Sequence, residues 1–417
     1  MNIELVTIGD ELLLGFTVDT NAAHLARELS AIGVQMIRRT TVGDDPAVIA
    51  TVVREALDRT GAVITTGGLG PTSDDLTKPS IAGIFNRAMV LDEAHLAWMA
   101  ERWRKRFGTD LPATNRNQAM MPQGARKLEN KHGSAPGIWL EDERGRWVAM
   151  LPGVPREMRG MLADTLLPLL RERVDSNRVV RSRTLRTSGI AESALADRIG
   201  AIGASLPEAV SLAYLPNVDG VELRLTARGL APAAADRVLA EVAARLQTVL
   251  GADIYGEEEA YLAAIVLDAC RARGLKVAVA ESCTGGMLGE RITRIAGSSE
   301  VFVGGVIAYA NEIKSGMLDV DPALIREHGA VSEQVVRAMV AGARARTGAE
   351  VGIGITGVAG PGGGTPEKPV GTVWIAVDFA GDVRAVLLKL WGDRQEIRQR
   401  SAQAALNLVR KAVAAVH

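Results

Sequence analysis

Short apolar runs and amphipathic helical patterns alternate along the first third of the chain. Strands are expected at 3–9, 34–42 and 62–70, and helices at 20–33 and 44–61. Thr20 is the expected N-cap of the first helix and Gly33 its end, while Pro46 and Gly61 bracket the second helix. Strands that alternate with helices predict a parallel sheet covered on both faces.

A different pattern follows this first segment. Residues 137–151 predict a hairpin, and a long helix is expected at 154–174. The stretch 177–251 then predicts a β-α-β-β-α unit whose last helix is the Ala-rich segment 232–250. Residues 251–260 are expected to form a linker.

The alternation of strands and helices returns in the last third of the chain. The expected elements are helices at 261–273, 286–296, 332–347 and 395–416, and strands at 276–281, 301–309, 351–356 and, as a pair, within 372–390. We therefore predict three domains, at 1–172, 173–255 and 256–417. Two α/β domains, each a parallel sheet in three layers, are joined by a small α+β domain.

Composition narrows the classes of function. The 417 residues carry a formal net charge of −1, so no overall field attracts the chain to nucleic acid or to anionic membranes. Two cysteines make no disulfide framework, and no Cys/His cluster has zinc-ligand spacing. The first residues lack the basic region of a signal peptide, and no apolar run reaches 18 residues. We expect a cytoplasmic protein without a membrane span.

Three potential nucleophiles are adjacent in VAVAESCTGGMLGERI, namely Ser282, Cys283 and Thr284. A serine between a strand and a helix can point into a cleft at the sheet edge, and the N–H groups of Thr284, Gly285 and Gly286 could bind an oxyanion or a phosphate. The alternative is that Ser282 only caps the following helix.

A serine nucleophile needs a base, and His328 is the only histidine inside this domain apart from the C-terminal residue. A Ser-His-Asp triad is therefore poorly supported. VIAYANEIKSGML offers Tyr309 at a strand end and Lys314 in what is expected to be a loop. Either could act as the base if its pKa is lowered, and either could instead be structural.

A third strand end, GIGITGVAGPGGGTPEKPVGT, supplies Thr356 and a glycine-rich loop that includes Gly357 and Gly360. Such a loop allows a phosphate to approach the backbone closely, although the spacing is not that of a Walker A loop. Parallel strands place their carboxyl ends along one edge, so the three polar strand ends are expected to converge.

The densest feature of the first domain is TTGGLGPTSDDLTKPSIA, whose glycines could cradle a phosphate: Gly67, Gly68 and Gly70. Asp74 and Asp75 follow them, and Asp10 and Asp44 lie near other predicted strand ends. These acids could hold Mg²⁺ through oxygen atoms and water. The alternative is that they cap helices and fill turns, as is expected for Asp45 and Asp75.

Five motifs of the last domain together resemble the C-terminal domain of the CinA family: AESCTGG, GGVIAYANEIKSGML, GAVSEQVVRAM, GITGVAGPGGGTPEKPVGTVWIAV and GDRQEIRQR. That family includes nicotinamide-mononucleotide deamidases. The resemblance implies Ser282 as nucleophile, Tyr309 and Lys314 in its activating network and Thr356 in the site, without a cofactor. It also implies that an arginine of the last motif holds the nucleotide, either Arg394 or Arg398. Cys283 is then a packing residue, with its own nucleophilicity as the minor alternative.

The first domain resembles the MoaB/MogA-like molybdopterin-binding fold as it occurs at the N-terminus of CinA proteins. The matching segments are GDELLLG, DTN, GGLGPTSDD, NRNQAMMP, GSAPG and MLPGVPREM. The CinA resemblance implies a metal-dependent ADP-ribose pyrophosphatase, with Mg²⁺ held by Asp44 and Asp75 beside Asp10. The middle segment resembles the KH-like insert of CinA proteins, where GAIG (200–203) imitates a GxxG loop between a helix and a strand. Its near-neutral charge favours a spacer or a dimer contact over RNA binding.

These observations predict a bifunctional enzyme of pyridine-nucleotide salvage, whose partners are nicotinamide mononucleotide (NMN) and ADP-ribose. We expect a homodimer that contacts neither a membrane nor nucleic acid directly. One alternative keeps the amidase and makes the N-terminal domain a non-catalytic nucleotide sensor. Another, suggested by the family name, is a partner protein in competence or DNA damage.

Overall fold

A six-stranded mixed sheet organises the N-terminal domain in the computed structural model, which describes residues 1–72, 74–174 and 179–415. The strands and helices of this domain are β1 Asn2–Ile8, α1 Asp10–Leu13, α2 Thr20–Ala31, β2 Gln35–Val42, α3 Pro46–Thr60, β3 Ala62–Thr66, α4 Thr77–Ile84, β4 Met89–Leu91, α5 Glu93–Phe107, β5 Met120–Pro122, β6 Arg126–Leu128, β7 Gly137–Glu141, β8 Trp147–Leu151, α6 Pro155–Met161 and α7 Leu167–Arg171. A 3-10 helix at Ala113–Ala119 precedes β5, and a π-helical turn at Leu162–Leu166 joins α6 to α7.

The strand order of this sheet is β2-β1-β3-β8-β7-β6. The first four strands are parallel, whereas β7 and β6 are antiparallel to their neighbours. The α/β class and the hairpin at 137–151 are thus confirmed, and the hairpin makes the sheet mixed. Helices α2, α6 and α7 pack against one face, and α3 and α4 against the other.

Local signals predicted the ends of α3 better than the start of α2. Asp45 accepts hydrogen bonds from the first turn of α3, and Gly61 ends that helix with a φ of 70°. Helix α2 is capped by Asp19, whose side chain accepts from the Ala22 N–H, so the expected cap Thr20 is wrong by one residue. Aspartate, with its charged oxygen, is at least as good an N-cap as threonine.

The small domain contains β9 Val179–Thr187, α8 Glu192–Ala204, β10 Val210–Asn217, β11 Gly220–Leu230, α9 Pro232–Leu250 and β12 Ile254–Glu257. Its strand order is β10-β11-β9-β12, and β12 pairs antiparallel with β9. The expected linker at 251–260 is therefore wrong, because most of it is a 3-10 turn and this edge strand. The segment 200–203 is also no loop between a helix and a strand, since it lies in the last turns of α8.

The C-terminal domain is built on a five-stranded sheet of order β14-β13-β15-β16-β17. Its elements are α10 Leu262–Arg271, β13 Val277–Glu281, α11 Met287–Thr293, β14 Phe302–Ile307, α12 Asn311–Leu318, α13 Pro322–His328, α14 Glu333–Thr347, β15 Val351–Gly357, β16 Thr372–Phe379, β17 Asp382–Lys389 and α15 Arg394–Ala414. A 3-10 turn at Ser298–Glu300 precedes β14.

The three layers of this domain follow from the burial of its sheet on both faces. Strands β14, β13 and β15 are parallel, and β16 and β17 add an antiparallel hairpin. Helices α10, α11 and α15 share one core with the sheet, and α12, α13 and α14 share another. The predicted helix 395–416 is present as α15, while its residue 416 lies outside the described residues.

Packing divides the chain into two compact units. One contains Met1–Arg181 with Ala227–Arg237, and the other contains Ser182–Thr226 with the residues from Val238 onwards. Within the second unit, the Asn407 side chain on α15 donates to the Ser188 carbonyl. No helix in the described ranges has both the length and the apolar character needed to cross a bilayer.

Candidate active sites

Three strand ends meet at one edge of the C-terminal sheet. Glu281, the last residue of β13, is in register with Ile307 on β14 and with Ile355 on β15. The Ser282 N–H donates to the Ile355 carbonyl at 2.9 Å, and the Ala308 N–H donates to the Glu281 carbonyl at 2.7 Å. Ladder hydrogen bonds thus fix Ser282 at the carboxyl edge that the sequence predicted.

Lys314 directly contacts Ser282. Its Nζ lies 3.0 Å from Ser282 Oγ, 2.9 Å from the Ala308 carbonyl oxygen and 3.3 Å from the Tyr309 carbonyl oxygen. The lysine is 1% exposed and the serine 8% exposed. The expected loop is wrong, because Lys314 lies on α12, and this helix carries its side chain back under the end of β13.

The lysine amino group has only neutral oxygens as partners. No carboxylate in the described part of the chain forms an ion pair with it, and burial lowers the pKa of Lys314 below its ordinary value. A neutral amine can donate its two hydrogens to the Ala308 and Tyr309 carbonyls and accept the Ser282 hydroxyl hydrogen with its lone pair. The geometry therefore suits a lysine that acts as a base.

Tyr309 does not link the lysine to the serine through its hydroxyl. Only its backbone carbonyl contacts Lys314, while the side chain is 59% exposed and its hydroxyl accepts from Arg394 at 2.6 Å. The structure thus favours direct contact between Lys314 and Ser282 over a route through the phenol. Tyr309 and Arg394 instead form a polar pair on the surface beside the serine loop.

Cys283 is a packing residue. It is 7% exposed and lies within the core shared by α10, α11 and α15. Burial raises the pKa of the Cys283 thiol to about 12. A thiol with such a pKa is almost entirely protonated at neutral pH, which excludes an activated cysteine at this position.

Glu281 is a buried group that the sequence analysis missed. Its carboxylate is fully buried and accepts hydrogen bonds from the N–H groups of Gly286, Leu288 and Gly289, at 2.8–3.1 Å. It caps α11 in place of Ser282, whose hydroxyl contacts Lys314 instead. An acid directly before the serine was the available signal, because the end of a buried strand rarely carries a charge without a local partner.

This cap overturns part of the expected anion site. The Gly286 N–H donates to Glu281, and the Gly285 N–H donates to the Ser282 carbonyl at 3.0 Å. Neither glycine N–H is free to bind an oxyanion or a phosphate unless these bonds break. Thr284 is fully buried, and its hydroxyl has no hydrogen-bond partner among the described residues.

Two arginines from the start of α15 border the serine loop. Arg398 donates through Nε and Nη2 to the Thr284 carbonyl, at 3.2 and 2.8 Å, and Arg394 donates to the Gly360 carbonyl at 2.5 Å. Both candidate arginines therefore lie at this edge of the sheet. Thr356 is buried, and its hydroxyl donates to the Ala330 carbonyl at 2.8 Å, which gives it a structural contact.

Gly357 has a packing role in the same loop. A Cβ atom at this position would lie 2.7 Å from the Val373 side chain on the paired strand β16. Close approach of the two paired strands therefore accounts for a glycine at this position.

A second candidate site lies in the N-terminal domain, in a cleft of about 440 Å³. The predicted glycines Gly67, Gly68 and Gly70 line it, together with the predicted acids Asp44, Asp74 and Asp75 and the unpredicted Glu11. Gly67 has a φ of 103°, and a Cβ atom there would lie 2.0 Å from the Ile8 carbonyl oxygen. Only glycine permits this close crossing of the loop and β1.

The acids in and beside the cleft differ in their hydrogen bonds. Asp75 accepts from the Gly70 N–H, the Thr72 N–H and the Thr72 hydroxyl, at 2.5–2.8 Å, so it holds its own loop together. Asp10 and Asp44 each accept the other's backbone N–H. Burial raises the pKa of Asp44, with further contributions from Asp10, Glu11 and Asp74. Asp10, Glu11 and Asp74 thus act electrostatically on Asp44, while the carboxylate of Asp75 is used within its own loop.

A metal ion in this cleft would need ligands from its substrate as well as from the protein. The described residues contain no group of three side chains able to chelate a metal ion. Mg²⁺, however, commonly binds one or two carboxylates together with substrate phosphates and water. Burial, together with the nearby acids, raises the pKa of Asp44, so a cation beside this carboxylate would stabilise its charged form.

A buried lysine supports the wall of this cleft. Lys78 is 3% exposed, and its amino group donates to the carbonyls of Asn117 and Gln118. Burial lowers the pKa of Lys78 to about 8, although the charge of Asp75 opposes this shift. A single lysine on a short helix carries no pattern by which the sequence could mark it.

These domains define the class of protein. The CinA C-terminal domain family matches residues 259–413, the probable molybdopterin binding domain family matches 4–172, and the damage-inducible protein CinA KH domain family matches 182–256. The chain thus combines a MoaB-like domain, a KH domain and a CinA C-terminal domain.

Similar proteins extend over the whole chain. A CinA-like protein of Gemmatimonas aurantiaca is 63% identical over 415 residues, which are 99% of this chain and 97% of that protein. A CinA-like protein of Gloeobacter violaceus is 44% identical over 98% of this chain and 96% of its own length. The crystal structure of competence/damage inducible protein CihA from Agrobacterium tumefaciens is 39% identical, with a TM-score of 0.36, and covers 37% of this chain and 93% of that one. The chain belongs to the CinA family.

We predict that Glu281→Gln destabilises the C-terminal domain by about 2 kcal/mol or more, because the amide brings an N–H₂ group towards three N–H donors. Urea unfolding at pH 7 measures this change. Glu290→Gln is the matched control, since Glu290 lies on α11, the helix that Glu281 caps, and forms an exposed ion pair with Arg294. Equal unfolding midpoints for the two variants would contradict the role of Glu281 as a buried cap.

Proposed function

We propose that the C-terminal domain is an amidohydrolase that converts NMN to nicotinate mononucleotide and ammonia. The observation that carries this proposal is the 3.0 Å contact between Lys314 Nζ and Ser282 Oγ, in a setting where burial lowers the pKa of the lysine. A serine paired with a neutral lysine is a recurrent nucleophile and base for acyl transfer.

The proposed reaction has two halves. In the first, Lys314 takes the hydroxyl proton of Ser282, and the serine oxygen attacks the carbonyl carbon of the carboxamide. Lys314 then returns the proton to the departing nitrogen, so ammonia leaves and an ester remains on the serine. In the second, Lys314 takes a proton from water as the water oxygen attacks the ester carbonyl, and it then returns that proton to the serine oxygen as the ester bond breaks, which releases the acid product and restores Ser282.

Two features favour NMN as the substrate. The family resemblance suggests NMN, and the two arginines beside the serine loop could pair with its phosphate. Arg394 and Arg398 use neutral carbonyl and hydroxyl partners near the loop, so a phosphate would be their first anionic partner there. The exposed ring of Tyr309, whose hydroxyl accepts from Arg394, could contact the pyridine ring of the nucleotide.

We further propose that the N-terminal cleft hydrolyses the diphosphate of ADP-ribose with a divalent metal ion. Asp44 would hold the metal, which supplies charge for the diphosphate and polarises the attacked phosphorus. The glycines at 67–70 let the phosphates approach the backbone, and Asp75 keeps their loop in shape. A nucleotide sensor without turnover is the second candidate, favoured because the carboxylate of Asp75 is already occupied by its own loop.

We predict that Ser282→Ala lowers the rate of ammonia release from NMN by about 10³-fold or more, because the nucleophile is removed. Cys283→Ala, one residue away in the core, is expected to retain most of the rate. Ammonia and nicotinate mononucleotide are measured by a coupled assay and by mass spectrometry. Loss of activity in the cysteine variant alone would show that the nucleophile is wrongly assigned.

We predict that Lys314→Arg lowers kcat by about 10²–10⁴-fold, since arginine stays protonated and cannot act as a base. In the wild type, kcat should rise with pH and level off below the ordinary pKa of lysine, because only the neutral amine accepts the proton and burial lowers the pKa of Lys314. Kinetics between pH 5.5 and 10 test both points. A folded arginine variant with normal kcat and a raised KM would instead indicate phosphate binding.

We predict that Asp44→Asn abolishes metal-dependent ADP-ribose cleavage and spares NMN deamidation. In the wild type, cleavage should fall as the pH decreases through the raised pKa of Asp44, because protonation removes the metal ligand. Asp58→Asn serves as the control, as this exposed acid pairs with Arg146 away from the cleft. A wild type that binds ADP-ribose but never cleaves it with any divalent metal would support the sensor.

A further inference from the structure

A second pocket of about 330 Å³ opens beside helix α5 in the N-terminal domain. Three aromatic side chains and three arginines dominate its wall, and we call it the tryptophan–arginine pocket: Trp98, Trp103, Phe107, Arg102, Arg106 and Arg156. Aromatic residues are only 4% of the chain, so their concentration around one small cavity needs a cause.

The aromatic walls are held in place before any ligand binds. The Trp98 ring stacks on the buried His95 ring, with centroids 5.2 Å apart, and remains 39% exposed. Trp103 packs against Phe107 with centroids 4.4 Å apart, and its indole N–H donates to the Thr109 hydroxyl at 3.2 Å. Flat apolar rings with exposed surface are suited to stack against a planar ligand.

The arginines of the pocket lack acidic partners. Arg102, Arg106 and Arg156 form no ion pair with the described residues, and the guanidinium of Arg102 lies 5.3 Å from the Trp98 ring centroid. On the same helix, by contrast, Arg104 pairs with Asp110 at 2.7 Å and Lys105 pairs with Glu101 at 2.6 Å. The cations that face the pocket are thus the ones left for an anionic ligand.

The pocket adjoins the glycine-loop cleft. Glu157 lines both cavities, and the flanking residues Arg156 and Pro155 line one cavity each. Asn115 and Ser134 of the pocket both donate to Gln118, which lines the cleft, at 3.3 and 3.4 Å. An extended ligand could therefore occupy both cavities at once.

We propose that the tryptophan–arginine pocket binds the purine nucleoside end of a nucleoside diphosphate sugar whose diphosphate extends from this pocket to the glycines at 67–70. The base stacks on the exposed indole, and the unpaired guanidiniums neutralise the adjacent phosphate. This inference extends the proposed ADP-ribose site and rests on its location in the cleft. It assigns to the pocket the discrimination between a nucleotide and a bare diphosphate.

The experiment compares binding of AMP, ribose 5-phosphate and magnesium pyrophosphate to the full-length protein by calorimetry. We expect the double variant Arg102→Ala/Arg106→Ala and the variant Trp98→Leu each to weaken AMP binding about tenfold or more, because stacking and charge pairing are lost. Pyrophosphate binding should stay the same in Trp98→Leu, because the indole contacts only the base. Arg104→Ala is the matched control, since Arg104 shares the helix but not the pocket.

The outcomes test the base-binding pocket and the pyrophosphatase activity separately. If AMP binds the wild type no more tightly than ribose 5-phosphate, or if the double variant binds AMP as the wild type does, the pocket is not a base site. If AMP binding depends on the pocket and ADP-ribose is never cleaved, the pocket stands and the pyrophosphatase fails. Arg102 and Arg106 are exposed, so their substitution should leave the fold intact. For Trp98→Leu, a melting curve shows whether weaker AMP binding results from unfolding.

Discussion

The amino group of Lys314 is the constraint on which the C-terminal site depends. An amine placed in the interior without a counter-charge must be satisfied by neutral oxygens or lose its proton. Here two backbone carbonyls after β14 and the hydroxyl of Ser282 provide those oxygens. The register of β13 with β14, the path of the chain after Ile307 and the start of α12 are all needed to bring the three partners together.

The edge of the sheet could be predicted from the sequence, but the contacts at that edge could not. Alternating periodicity located β13, β14 and β15, and parallel strands require their carboxyl ends to meet. Helix α12 was missed, because eight residues with two glycine or serine positions give too short a pattern. Lys314 was identified as a candidate from the sequence. Its contact with Ser282 could not be predicted, because no periodic pattern marked the helix that carries it.

The N-terminal domain shows the same limit in its acids. Four carboxylates near strand ends suggested a metal site, yet a sequence does not show which oxygen atoms are already bonded to backbone N–H groups. The carboxylate of Asp75 accepts hydrogen bonds from Gly70 and Thr72. Burial and nearby acids, by contrast, raise the pKa of Asp44. Helix α5 and the short strands around it carried no clear alternation, so the pocket they form was missed as a whole.

Both glycine-rich turns carry an internal carboxylate that competes with an outside anion. Glu281 accepts the N–H groups after the Gly-Gly pair, and Asp75 accepts that of Gly70. A phosphate that used these donors would first have to displace a negative charge. The proposed functions would therefore depend more on side-chain cations for anion recognition. In those proposals the cations are the arginines at the start of α15 and those on α5.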